Sequence, residues 1–203
     1  SAGAPRGQVY PGDIDNDGWI DLFFGAQGYI TVLRNAEGTG TFEKITHVPS
    51  TTGIIPGGGS VGDFNSDGYI DFYRGGYISN PSEIIVNVPD ATQPGGRGFD
   101  LAWQGDSRYV RSVTSADYDE DGDLDVYTSA YYLQANALFQ NQRNGQAFPF
   151  ANIGVTGGNG HSVGSQWGDL DNDGDLDLFV GNFANPGNPE SRVYRNEGPG
   201  NGF

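Results

Sequence analysis

Cysteine and methionine are both absent from the 203 residues. Without cysteine there are no disulfides, no thiolate nucleophile and no sulfur ligand for a soft metal, although the compartment is not fixed by that alone. Histidine occurs only at His47 and His161, neither in a zinc-binding spacing, so metal-hydrolase and His-based acid–base chemistry have little to draw on. Basic residues are scarce as well: ten Lys and Arg stand against 26 Asp and Glu, a formal charge of −16. Nucleic acid is recognised by clustered Lys and Arg, so it is not an expected partner, and an anionic membrane surface would repel the chain. No apolar run approaches the ~20 residues of a membrane-spanning helix, so direct membrane insertion is not expected. There is no G-x-S-x-G elbow, and Gly57-Gly58-Gly59-Ser60 lacks the lysine of a phosphate loop. An enzyme is not expected.

What the chain has in excess is aspartate at fixed spacing. The phrase DLDNDGDLD begins at Asp169, and its cognates begin at Asp13 (DIDNDGWID), Asp63 (DFNSDGYID) and Asp117 (DYDEDGDLD). Oxygen-bearing side chains fall at positions 1, 3, 5 and 9 of every copy: Asp13, Asp15, Asp17 and Asp21; Asp63, Asn65, Asp67 and Asp71; Asp117, Asp119, Asp121 and Asp125; Asp169, Asp171, Asp173 and Asp177. Carboxylates on alternate residues of a short loop suit Ca²⁺, which takes six to eight oxygens at about 2.3–2.6 Å. Position 6 is always glycine, which enters positive φ cheaply where the loop must turn. Position 7 (Trp19, Tyr69, Asp123 and Asp175) would offer its backbone carbonyl, so its side chain can vary. Two carboxylates ~5 Å apart repel by roughly 3 kcal/mol at an effective dielectric near 20, so such loops resist closing without a cation. EF-hands are excluded, because position 12 is Phe24, Arg74, Thr128 or Val180 rather than glutamate, and flanking helices are lacking. Eighteen of the 26 acidic residues lie in these four phrases; four bound Ca²⁺ ions would reduce the formal charge to about −8.

The phrases recur every 50 to 54 residues, a period typical of propellers and other repeat arrays. A short strand-like run precedes each loop, and an aromatic or β-branched run with period-2 alternation follows it, as in Ile20-Asp21-Leu22-Phe23-Phe24. A third run follows at Tyr29 to Arg34, Glu83 to Val88, Ala137 to Gln140 and Arg192 to Arg195. A glycine turn and a phenylalanine (Phe42, Phe99, Phe148, Phe203) then open a fourth. Four strands per unit is the content of a propeller blade. The spacing therefore predicts an all-β chain, a β-propeller of four-stranded blades in one region, 1–203. Its repeats fall at about 1–40, 41–97, 98–146 and 147–203.

Gly168-Asp169-Leu170-Asp171-Asn172-Asp173-Gly174-Asp175-Leu176-Asp177-Leu178, followed by Tyr194-Arg195-Asn196, resembles the FG-GAP/VCBS repeat. That repeat builds integrin α-like calcium-binding β-propellers, fungal propeller lectins and secreted proteins similar to cartilage acidic protein. The resemblance covers nearly the whole chain. It implies up to four structural Ca²⁺ ions held by the residues named above, with the loop joining the first two strands of each blade on one rim. Asn65 departs from the pattern, so the second loop is expected to bind least tightly. Family propellers usually have seven blades, so four repeats imply part of a larger propeller or an assembly of copies.

The functional expectation is an extracellular, cell-surface or secreted calcium-binding module for adhesion, with a protein or glycan ligand. A chain that starts at Ser1 fits a processed secreted protein or a fragment, and loops of this kind load at the millimolar calcium found outside cells. The alternative is a structural subunit that binds copies of itself in a filament or surface layer. A polysaccharide-active enzyme ranks third. Tyr77, Trp103, Tyr109, Tyr131 and Tyr132 are candidate sugar-stacking rings set in inter-strand loops. The stretch from Pro89 to Gly105 is a candidate binding or contact loop.

Overall fold

In the computed structural model, residues 8–26, 29–49, 58–77, 80–105, 107–142, 150–154, 159–183 and 190–198 are described. They form four antiparallel sheets in which the strands follow chain order. The first holds Val9–Gly12, Asp21–Ala26, Tyr29–Asn35 and Phe42–Ile45; the second holds Gly59–Gly62, Asp71–Arg74, Glu83–Pro89 and Arg97–Gln104. The third holds Val110–Ala116, Asp125–Ala130, Ala137–Asn141 and Phe150–Gly154; the fourth holds Ser162–Gly168, Asp177–Asn182 and Arg192–Tyr194. A two-residue ribbon pairs Gln134–Ala135 with Asn159–Gly160, ahead of the fourth sheet. The all-β expectation holds, and each sheet has the meander of a propeller blade.

Sheet boundaries fall later than the repeats at 40, 97 and 146. The strands Phe42–Ile45 and Arg97–Gln104 pair with the third strand of the unit before them, because a turn closed by a backbone bond (Ala36 N to Thr41 O, Asp90 N to Gly96 O) folds each straight back on it. In the third unit Phe148 lies outside the described residues; the phenylalanine that opens the fourth strand opposite Asn141 is Phe150. Phe203, expected to open the fourth strand of the last unit, also lies outside the described residues.

The sheets stack face to face in chain order. Phe23, Ile30, Val32 and Ile45 of the first sheet, with Ile14 from its loop, pack on Phe72, Ile85 and Phe99 of the second. Tyr73, Ile84 and Val86, with Phe64, pack on Val126, Ala137, Phe139 and Phe150 of the third. Ala116, Tyr127 and Leu138, with Tyr118, pack on Trp167, Leu178 and Val180 of the fourth. Among the described residues each cluster joins neighbouring sheets, and none joins the fourth to the first.

This stacking changes the meaning of the second strands. Period-2 alternation in a strand often marks one open face, but Asp71–Arg74 and Asp125–Ala130 are buried along their whole length. A strand at the centre of a sheet that is itself sandwiched has no solvent side. Residues opposite one another in the register share a face, so Phe72 with Ile85 faces the first sheet while Tyr73 with Ile84 faces the third. The same burial forces Arg74 and Glu83 to pair, at 2.5 Å.

Phe72 stacks on Phe23 with ring centroids 5.5 Å apart and leans on Tyr10 at 5.2 Å. Replacing it by alanine empties the joint between the first two sheets. Phe72→Ala is expected to cost about 3–5 kcal/mol in urea unfolding; a loss below ~1 kcal/mol would contradict this packing.

Candidate metal centre

Each aspartate phrase connects the first and second strands of its sheet and folds the same way four times. Position 4 is left-handed at Asn16, Ser66, Glu120 and Asn172 (φ 51–62°), as is the position-6 glycine at Gly18, Gly68, Gly122 and Gly174 (φ 88–103°). Two such turns within three residues coil the backbone so that alternate side chains point inward. The position-1 carboxylate then accepts from amides on the far side of the loop. Asp13 takes Asp17 N at 3.1 Å and Gly18 N at 2.9 Å, Asp63 takes Asp67 N and Gly68 N, Asp117 takes Gly122 N, and Asp169 takes Asp173 N and Gly174 N. Position 5 accepts from the position-7 amide in all four loops.

Position 9 has a different partner set. Asp21, Asp71, Asp125 and Asp177 are 0–1% exposed. One oxygen of each accepts from the position-2 amide: Ile14, Phe64, Tyr118 or Leu170 N at 2.8–3.2 Å. The other accepts from the amide of an asparagine at the end of the third strand: Asn35, Asn87, Asn141 or Asn196 N at 2.6–2.9 Å. These aspartates tie loop, second strand and third strand together. At Asp21, Asp71 and Asp125 burial outweighs those hydrogen bonds in setting the acidity. It raises the Asp21 pKa, takes Asp71 to about 7 and takes Asp125 to about 8.

Position 3 is clamped from the third strand, a feature missed in the sequence reading. Arg34 holds Asp15 at 2.5 Å and Asp17 at 2.6 Å, Gln140 donates to Asp119, and Arg195 holds Asp171 at 2.6 Å. The clamping residue directly precedes the position-9 asparagine partner, so the recurring Arg-Asn ending is the signal that could have revealed it. The second loop has Val86 there and Asn65 at position 3. At position 7, Trp19 lies on Gly38 and Tyr69 on the Arg97 guanidinium at 3.7 Å, both outside the loop.

Acidic oxygens from Asp13, Asp15 and Asp17, from Asp117, Asp119 and Asp125, and from Asp169, Asp171 and Asp177 lie within 4.8 Å of one another. The donor set fits a hard cation, and the test lies in individual atoms. Asp15 Oδ1, Asp117 Oδ1 and Asp119 Oδ1 are buried with no hydrogen-bond donor. An ionised carboxylate oxygen cannot be left so in a protein interior without a counter-charge. The clamps occupy Oδ2 of Asp15 and Asp119 and leave Oδ1 of each without a donor.

The turn Asp90–Gly96 caps the first loop, and Gly95 passes so close to Asp15 and Arg34 that any side chain there would collide. Gln93 Oε1 accepts from Thr46 N at 2.8 Å, and His47 sits between Asp90 (2.6 Å) and Asp100 (3.1 Å). The expected Pro89–Gly105 loop is thus a contact between sheets that runs into a strand. Trp103 belongs to that strand, against Tyr73, Phe139 and Phe150, because its indole fills the joint between the second and third sheets. The tyrosines do form a cluster, at the end of the sheets opposite the aspartate loops. Tyr109 meets Tyr77 at 4.4 Å and Tyr132 at 4.9 Å, Tyr131 meets His161 at 4.5 Å, and Arg111 lies over Tyr109 and Tyr131. Tyr132 and Leu133 are exposed and both left-handed (φ 56° and 57°), an unusual strain for bulky residues.

The FG-GAP-like repeat profile matches residues 13–73 and 117–180. Cartilage acidic protein 1 of Xenopus tropicalis is 29% identical over an alignment of 191 residues, which covers 89% of this chain and 29% of that protein. The chain therefore spans under a third of that relative's length.

In calcium-free buffer the buried aspartates fix a pH response. Folded Asp71 and Asp125 keep their protons to about pH 7 and 8, whereas the unfolded chain releases them near pH 4. Their contribution is complete below ~4 and is lost as pH rises through ~7–8. The urea midpoint in chelator should fall between pH 5 and 8.5, and saturating calcium, which needs the deprotonated ligands, should remove or reverse the trend. A midpoint that rises with pH in chelator would contradict this.

Proposed function

Because the chain belongs to the FG-GAP-like repeat family, we propose that it is a calcium-stabilised, β-propeller-type module that works outside the cell in adhesion or ligand binding. The observation that carries the reading is the set of buried carboxylate oxygens without donors in the first and third of four loops that fold alike: Asp15 Oδ1, Asp117 Oδ1 and Asp119 Oδ1. Asp13, Asp15, Asp17 and Asp21, with the Trp19 carbonyl, would hold one Ca²⁺. Asp63, Asn65, Asp67 and Asp71 with the Tyr69 carbonyl would hold a second, and Asp117, Asp119, Asp121 and Asp125 with the Asp123 carbonyl a third. Asp169, Asp171, Asp173 and Asp177 with the Asp175 carbonyl would hold a fourth. The ion supplies positive charge and no redox or hydrolytic chemistry. The second site is the weakest, since Asn65 removes a charge and Val86 provides no clamp.

At ~2 mM calcium and a site constant near 0.1 mM, each filled loop gains about 1.8 kcal/mol. Several such gains rival the stability of a whole domain. EGTA is therefore expected to lower the melting temperature by more than ~10 °C, and an unchanged melt would overturn the structural role of calcium.

The ligand surface is the tyrosine cluster on the opposite rim, where Tyr132 is 63% exposed beside Leu133. Rings held by neighbouring rings lose little entropy on binding, and their faces suit sugar or an apolar peptide side chain. Loss of glycan-array or protein-ligand binding in Tyr132→Ala, with the melt unchanged, is the expected outcome; undiminished binding would move the ligand site elsewhere.

A further inference from the structure

The asparagines at the ends of the second, third and fourth sheets' third strands each serve two loops. Through the backbone amide, Asn87, Asn141 and Asn196 cap the position-9 aspartates of their own loops, Asp71, Asp125 and Asp177. Through the side chain they reach the loop of the preceding sheet. Asn87 Nδ2 donates to Ile14 O at 2.7 Å, Asn141 Nδ2 to Phe64 O at 3.0 Å, and Asn196 Nδ2 to Tyr118 O at 2.8 Å. These acceptors are the position-2 carbonyls, 73 to 78 residues earlier in the chain. The same nitrogen also approaches the position-8 carbonyl of its own loop, Ile70 O, Leu124 O or Leu176 O, at 3.2–3.4 Å.

Position 2 is a sensitive place to hold. Its N–H donates to the position-9 aspartate of its loop. Its carbonyl belongs to the peptide that leads into position 3: Ile14 to Asp15, Phe64 to Asn65, or Tyr118 to Asp119. One asparagine therefore fixes a ligand of one loop with its main chain and the approach to a ligand of the preceding loop with its side chain. The links run in an unbroken series from Asp21 to Asp177. They pass through Ile14 and Asn87 to Asp71, through Phe64 and Asn141 to Asp125, and through Tyr118 and Asn196 to Asp177.

The three side chains are only 1–2% exposed. Arg97 Nε donates to Asn87 Oδ1 at 2.6 Å, and Gly198 N donates to Asn196 Oδ1 at 3.3 Å. A donor on Oδ1 leaves Nδ2 to face the carbonyls, a role that aspartate could not fill. The first two loops also touch directly, where Asn16 Nδ2 donates to Gly68 O at 2.9 Å.

We propose that Asn87, Asn141 and Asn196 are coupling residues, through which filling one cation site raises the affinity of the site in the adjacent sheet. The proposal rests on the calcium reading above. A cation that orders a position-9 aspartate also orders the asparagine capping it, and with it the position-2 peptide of the preceding loop. That loop then has less backbone freedom to lose when it closes on its own ion. Linkage makes the effect reciprocal. Direct repulsion between neighbouring cations has the opposite sign, so the direction of the effect tells the two apart.

An NMR calcium titration that follows the amides of Gly18, Gly68, Gly122 and Gly174 reads the four loops separately. Asp171→Ala removes an exposed ligand of the fourth loop and leaves Asn196 in place. The calcium midpoint at Gly122 is expected to rise at least ~5-fold, the low end of usual coupling. Asn196→Ala keeps the backbone bond to Asp177 and should raise that midpoint as well; adding Asp171→Ala to it should then change nothing further. In chelator, with no cation present, Asn196→Ala should speed hydrogen exchange at the Tyr118 amide. A Gly122 midpoint unchanged or tightened in Asp171→Ala would overturn the coupling and leave the calcium sites standing. Additive effects in the double variant, or unaltered Tyr118 exchange, would overturn it too. If Asn196→Ala does not fold, the Gly122 midpoint in Asp171→Ala decides alone. No saturable shift at any of the four glycines would overturn the calcium reading, and the coupling with it.

Discussion

A buried carboxylate at position 9 of each loop organises the chain. Asp21, Asp71, Asp125 and Asp177 are excluded from solvent, and each accepts a backbone amide from its own loop and another from the end of the third strand. Burial makes Asp21, Asp71 and Asp125 reluctant to ionise. The loop adds three more acidic or amide side chains around each. The sheet therefore has a polar pivot whose charge must be balanced from outside the hydrogen-bond network, by protons or by a cation.

From that pivot the rest follows by geometry. The second strand leaves it with residues alternating between two joints, and the third-strand asparagine that caps it sends its side chain to the preceding sheet. One interaction thus couples the loop, the sheet and the neighbouring sheet. It also explains why the same residue pattern recurs in each unit.

Much of the loop was legible beforehand, because carboxylates at spacing two with a glycine at position 6 are a local pattern with a local cause. The four-stranded units were legible for the same reason. What escaped depended on partners far along the chain. Trp103 reads as a loop aromatic until the fourth strand Arg97–Gln104 pairs with the third, and the burial of both faces of the second strands depends on flanking sheets distant in sequence. Phe148 and Phe150 are indistinguishable by sequence, and only the register opposite Asn141 selects Phe150. The clamps Arg34, Gln140 and Arg195 were visible as letters beside an asparagine, but their reach into the loop is a matter of strand pairing.

The central claim is that a divalent cation supplies the charge that the buried oxygens lack. Calorimetric titration of the calcium-stripped protein measures this directly. The account predicts saturable calcium binding at more than one and up to four sites per chain, with constants near or below ~1 mM. It also predicts progressive loss of affinity as pH falls below about 7, where Asp71 and Asp125 hold protons in the metal-free protein. No saturable binding up to ~10 mM calcium at neutral pH, far above the range expected for such loops, would contradict it.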